Sequence, residues 1–113
     1  MGVVMRMPST TKRSGTANER SAIRYPVNLP VRLMVEGQEY QAVTENMSAN
    51  GVLLRMDTAL ETGTKIEFLV EIPAGIFGLL ETAAMHCIGK VNRVYKRASS
   101  IYVAAIIEEY RFQ

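Results

Sequence analysis

The residues able to do chemistry fall into two short motifs and one isolated pair. Arg20-Ser-Ala-Ile-Arg24 places two guanidinium groups four positions apart. Guanidiniums offer several fixed donors and flat faces, which suits phosphate oxygens and the O6/N7 edge or π-face of guanine. With nine arginines in the chain, about one such spacing arises by chance, so taken alone this motif is weak. Asn46-Met-Ser48-Ala-Asn-Gly51 is more specific. Asp or Asn followed by x-S-x-x-G arises in about one chain in fifty of this composition. Asn46 and Ser48 lie two apart, so in an extended segment an amide and a hydroxyl point the same way and can bond a polar ligand. Gly51 permits a positive φ or a close backbone approach. The plain alternative is a turn in which Asn and Ser bond their own backbone.

The pair is His86-Cys87, the only histidine beside the only cysteine. Adjacent residues of a strand face opposite ways, so these two cannot act as a local nucleophile and base. One His, one Cys and one Asp (Asp57) are a poor ligand supply for zinc. His86 and Cys87 are therefore read as an edge polar group and a small core residue. Glu108 and Glu109 are neighbours that diverge in a strand, which gives paired-carboxylate catalysis no support. Neither a P-loop nor a GxGxxG motif is present. The expectation is a protein that is not an enzyme and uses neither cofactor nor metal.

The elements that position these groups show a period of two. Residues 1–18 are rich in Ser, Thr, Arg and Gly and read as a flexible arm, with one domain over 19–113. From Leu29 onward, apolar residues recur at alternate positions, which places them on one face of a strand. Val31, Leu33 and Val35 alternate with Arg32, Met34 and Glu36, and Gly37-Gln38 offers a turn. A second strand runs from about Glu39 to Asn46, and a third follows Gly51 with Val52, Leu54 and Met56 on one side. Ile66, Phe68, Val70 and Ile72 give the clearest alternation, ended by Pro73. After an irregular Pro/Gly-containing link, Glu81 to Arg97 reads as a long strand bent at Gly89. A turn at Ser99-Ser100 then leads into a last strand from Ile101 to Tyr110. Six strands joined mostly by short turns predict an all-β fold, a small antiparallel barrel or sandwich. Closure into a barrel would remove exposed edges.

Length and charge agree with this outline. The chain has 113 residues, enough for one domain with its own core. Its net charge of +2 is unevenly spread: residues 1–32 carry six basic side chains against one acidic, and residues 33–113 carry seven against ten. An anionic partner would therefore meet the N-terminal third. The apolar stretch from Ile72 to Leu80 is far too short for a membrane span. The first residues lack the apolar run and cleavage site of a secretory signal, so a cytoplasmic location is expected. A single cysteine fits that expectation.

In their order and separation, the two motifs resemble those of the PilZ domain, a small bacterial β-barrel that binds the second messenger cyclic di-GMP. Arg20 and Arg24 match its RxxxR signature, and Asn46, Ser48 and Gly51 match its second signature. The resemblance extends through Tyr25-Pro-Val-Asn-Leu-Pro-Val-Arg-Leu33, Gly51-Val-Leu-Leu54 and Gly89-Lys-Val91, covering about residues 19–112. It implies a six-stranded antiparallel barrel and a non-enzymatic receptor whose ligand is cyclic di-GMP. Arg20 and Arg24 would clamp phosphates and engage guanine, Asn46 would bond a guanine edge, Ser48 a phosphate or base, and Gly51 would shape the turn. It also implies a downstream protein partner that senses a surface changed by ligand, and it implies no DNA, RNA or membrane partner. Two other readings of the same residues stay open. One is a PilZ-fold interaction module that ignores the nucleotide and uses exposed sheet or the link around Ile76-Phe77. The other is a small barrel that binds single-stranded nucleic acid through the arm and aromatics such as Tyr25 and Tyr40.

Overall fold

The computed structural model describes residues 3–6 and 23–113. Alternation of apolar residues becomes the inner lining of a barrel. In chain order the strands are β1 (Val3–Arg6), β2 (Pro30–Val35), β3 (Gln38–Met47), β4 (Gly51–Met56), β5 (Lys65–Ile72), β6 (Ala83–Arg97) and β7 (Ser100–Phe112). All pairings are antiparallel, in the order β7-β4-β3-β2-β5-β6, and β6 returns to β7 to close a six-stranded barrel. Val31, Leu33 and Val35 are buried while Arg32 and Met34 between them are exposed, and Ile66, Phe68, Val70 and Ile72 of the neighbouring strand β5 continue the same lining, with Val70 beside Val31 and Phe68 beside Leu33. Burying side chains of this size stabilises the fold by about 1.5–3 kcal/mol each, which is why the two-residue period dictates the register of every strand.

Four residues of the arm, expected to be flexible over 1–18, are strand. β4 covers Ile101–Ile106 on one edge of β7, while β6 pairs along the other edge from Ser100 to Phe112. Beyond β4 that first edge would be bare, and β1 pairs there, Val3 opposite Phe112 and Arg6 opposite Glu109. A strand edge that is covered cannot template unwanted pairing. The remainder of the arm lies outside the described residues.

Two turns sit one residue earlier than the sequence suggests. The β2–β3 hairpin turns on Glu36-Gly37, with Val35 opposite Gln38, rather than on Gly37-Gln38. The β6–β7 hairpin turns on Ala98-Ser99, with Arg97 opposite Ser100, rather than on Ser99-Ser100. The physical reason at the first is strand twist. A two-residue hairpin loop matches right-handed twist when both central residues have positive φ, and Glu36 (φ 50°) and Gly37 (φ 82°) both do. Glutamate is a poor occupant of that conformation. Glu36→Asn is expected to stabilise the protein by about 0.5–1 kcal/mol, raising Tm by several degrees in a thermal melt. An unchanged or lower Tm would contradict this turn geometry.

The sheet curls at three bulges. Register skips Glu45 in β3, Asn92 in β6 and Glu108 in β7. Each extra residue adds local twist and flips the alternation beyond it. Gly89 lies beside the third, consistent with the bend expected there. The link after β5 contains a 3-10 turn, Ile76–Gly78, in which Phe77 has φ 55°.

Candidate functional site

The bulge at Glu45 determines which way the second motif faces. Ala42 and Thr44 point into the barrel, and unbroken alternation would send the next even-numbered side chain inward as well. With one residue inserted, Met47 turns into the core and Asn46 stays at the surface. The chain then turns tightly through Ser48, Ala49 and Asn50 into Gly51. The Ser48 amide donates to the Gly51 carbonyl at 2.8 Å. Ser48 is fully buried. Its hydroxyl accepts from the amides of Asn50 (3.1 Å) and Gly51 (3.2 Å), and it lies 3.5 Å from the Gly51 carbonyl, to which it donates. Ser48 thus performs the local turn bonding that the plain reading of this motif anticipated. Gly51 is present for close approach and not for positive φ: a Cβ there would stand 3.1 Å from the Ala105 carbonyl of β7.

The first motif reaches this turn from a segment laid along β3. Tyr25 and Met47 exchange backbone hydrogen bonds of 2.8 and 3.0 Å. Thr44 is the second anchor. Its amide donates to the Leu29 carbonyl at 2.9 Å, its hydroxyl accepts from the Leu29 amide at 2.8 Å and donates to the Val27 carbonyl, and its carbonyl accepts from Asn28 Nδ2 at 2.9 Å. Thr44 is completely buried and was not singled out in the sequence, although a threonine in the inward phase between Ala42 and Met47 was the available signal. Thr44→Val preserves shape and removes the hydroxyl, leaving the Leu29 donor and the Val27 acceptor without their partner. The expected cost is about 2 kcal/mol, with earlier amide exchange across 25–29 than in the rest of the barrel. Uniform exchange loss would show that Thr44 is merely a core residue.

So anchored, Arg24 extends over the turn. Its Nε donates to Asn46 Oδ1 at 3.0 Å and its Nη1 to Ser48 Oγ at 3.1 Å. A guanidinium carries five donors, so three remain for an anion. Because Asn46 accepts through its oxygen, its amide hydrogens are left to meet an acceptor such as a guanine edge or a phosphate oxygen. Glu45, the carboxylate nearest the motif in sequence, is held by Arg55 at 2.7 Å. That bond and charge raise the Arg55 pKa above its ordinary value. The pairing keeps the carboxylate engaged on the β4 side and leaves the charge of Arg24 for a ligand.

Arg24, Asn46, Ser48 and Gly51 therefore converge across 27 positions of sequence, while Arg20 lies outside the described residues. Of the groups considered for catalysis, His86 and Cys87 do face opposite ways. Cys87 is fully buried, and burial pushes its thiol pKa far up, which leaves it inert. His86 lies on the outer face, with Nε2 2.8 Å from Glu67 Oε2 and Nδ1 3.4 Å from Arg111. Among the described residues no cluster of three His, Cys, Asp or Glu could hold a metal. Tyr25 packs edge-on against Phe77, with ring centroids 5.2 Å apart, so neither aromatic is a free platform. Tyr40 is half-buried and its hydroxyl bonds Gln38 at 3.2 Å.

Comparison with known proteins bears on the fold and the family. A search of curated proteins gave no match. Among solved structures, the inhibitor of motility MotI/DgrA of Bacillus subtilis aligns with a TM-score of 0.67 at 16% identity, over 78% of this chain and 42% of its own length. At that identity the likeness is one of fold, and the present chain spans less than half of the other. The sequence itself matches the family model of the PilZ domain over residues 18–109, a span containing both motifs and all six barrel strands but the last residues of β7. A match over most of the chain, on a closed six-stranded barrel, shows that the chain belongs to the PilZ domain family.

Proposed function

We propose that this protein is a non-enzymatic receptor for cyclic di-GMP that acts on a downstream protein. The observation that carries this reading is the Arg24 fork, aimed by Asn46 and Ser48 at one surface point with donors left over. A dianionic dinucleotide with guanine edges can use all of them: charge-assisted bonds from Arg24 to phosphate or to O6/N7, and the Asn46 amide on a base edge. Ser48 supports by holding the turn and the guanidinium. Arg20, four residues closer to the N-terminus, supplies the second clamp in this mechanism, closing over ligand held by Arg24.

A route from ligand to surface runs through packing. Tyr25 follows Arg24 directly and touches Phe77 in the link that also displays Leu80, which is 94% exposed. Drawing Arg24 onto a ligand therefore bears on that link, a local charge event read out as an altered apolar surface. Isothermal titration of the purified chain with micromolar cyclic di-GMP tests the proposal. Saturable heat that disappears in Arg20→Ala and Arg24→Ala is expected, and absence of heat in the wild-type protein would refute it.

A further inference from the structure

Residues 90–107 contain four cations, Lys90, Arg93, Lys96 and Arg97, and no carboxylate, although residues 33–113 as a whole carry more acid than base. This span is the β6–β7 hairpin. The bulge at Asn92 sets Arg93, Tyr95 and Arg97 on one outer face, with Tyr95 directly opposite Tyr102. The two rings stack, centroids 5.3 Å apart and planes 10° from parallel. The guanidinium carbons of Arg93 and Arg97 lie 5.4 and 5.9 Å from the centre of the Tyr95 ring. Arg93, Lys96 and Arg97 are exposed, and no described carboxylate lies within 4.0 Å of them, whereas Arg32 and Arg55 are paired with Glu39 and Glu45.

We propose that this face docks a short acidic segment of a partner protein. Contact with the ring restrains each guanidinium while leaving its in-plane donors outward, a fork preorganised for carboxylate. Four residues of strand separate Arg93 from Arg97, about 13 Å, the reach of a few carboxylates in extended chain. Charge also selects the occupant. A longer nucleic acid tracking along β7 would leave the basic span and meet Glu108 and Glu109, and its bases would find the Tyr95 and Tyr102 rings already engaged with each other. A short acidic peptide fits within the basic area. The inference is independent of the nucleotide reading.

The test is fluorescence anisotropy and amide chemical-shift mapping of the whole chain with labelled hexaglutamate, beside a single-stranded hexanucleotide of mixed sequence. Hexaglutamate is expected to shift amides within 93–102 and to bind more tightly than the oligonucleotide. Its affinity should weaken at least tenfold in the double variant Arg93→Glu/Arg97→Glu, and by less in Arg93→Lys/Arg97→Lys, which keeps charge and loses the fork. Shifts outside the hairpin, equal binding by the reversed variant, or tighter binding of the oligonucleotide would each overturn the proposal. So would an Arg97→Gln variant that weakens cyclic di-GMP binding, because the patch would then belong to the nucleotide site.

Discussion

On the proposed receptor function, Arg24→Ala is expected to weaken cyclic di-GMP binding by at least about 100-fold while keeping its melting temperature within about 2 °C of wild type. The two parts of this expectation have different causes. Hydrogen bonds to charged groups are worth about 1.5–3 kcal/mol each, so losing two of them removes 3 kcal/mol or more, which is upwards of 100-fold. Arg24 is exposed, however, and its segment is held by backbone bonds of Tyr25 and by Thr44, so stability changes little. Arg24→Lys separates charge from shape. A single ammonium cannot reach Asn46 and Ser48 as a fork and bond phosphate as well, so most of the affinity should still be lost.

Neighbouring substitutions give opposite signatures. Asn46→Ala should weaken binding with little effect on Tm, since the side chain is at the surface. Ser48→Ala should lower Tm as well, because it orphans the Asn50 and Gly51 amides inside a buried turn, at a cost of about 1–3 kcal/mol. Calorimetric titration paired with thermal melts reads both quantities. If Arg24→Ala binds as wild type, the guanidinium is not a ligand contact and the receptor reading of this site fails.

Gly89→Ala is expected to be the most damaging single methyl in the barrel, lowering Tm by more than about 10 °C. A Cβ at Gly89 would lie 2.2 Å from the Ile106 carbonyl oxygen and 3.2 Å from its carbon. These are backbone atoms of the paired strand β7, so no side-chain rotation relieves the clash. Beside the Glu108 bulge the backbones of β6 and β7 come close at Gly89 while remaining paired on both sides, and the barrel closes along this pair. Overpacking at rigid sites costs about 1–3 kcal/mol, and for a domain of this size each kcal/mol moves Tm by about 4–8 °C. Gly51→Ala meets only one oxygen, at 3.1 Å, and should cost far less. Urea unfolding of both variants provides the ranking, and equal midpoints would remove the special role assigned to Gly89.

Much of this architecture is legible in the linear order of residues because strand alternation is local. Val31, Leu33 and Val35, or Ile66 to Ile72, announce their inner face through spacing alone, and six strands in one domain of this length leave few arrangements besides a closed antiparallel sheet. The motifs are legible for a similar reason: Ser48 and Gly51 complete a turn within four residues. Thr44 escaped notice because its importance lies in the carbonyl and amide it meets at Val27 and Leu29. Those contacts exist only once the segment before β2 lies along β3.

Local pattern thus determined which residues line the core, where the chain turns to within a residue, and which side chains could meet an anion. Tertiary structure alone decided how they are aimed. The bulge at Glu45 holds Asn46 outward, Arg55 engages Glu45, and the four hydrogen bonds of Thr44 bring Arg24 onto Asn46, 22 residues away. The same holds for β1 on the free edge of β7 and for the Tyr95–Tyr102 stack with its arginines. Each depends on register between strands distant in sequence, and register is settled only when the whole barrel closes and its core fills.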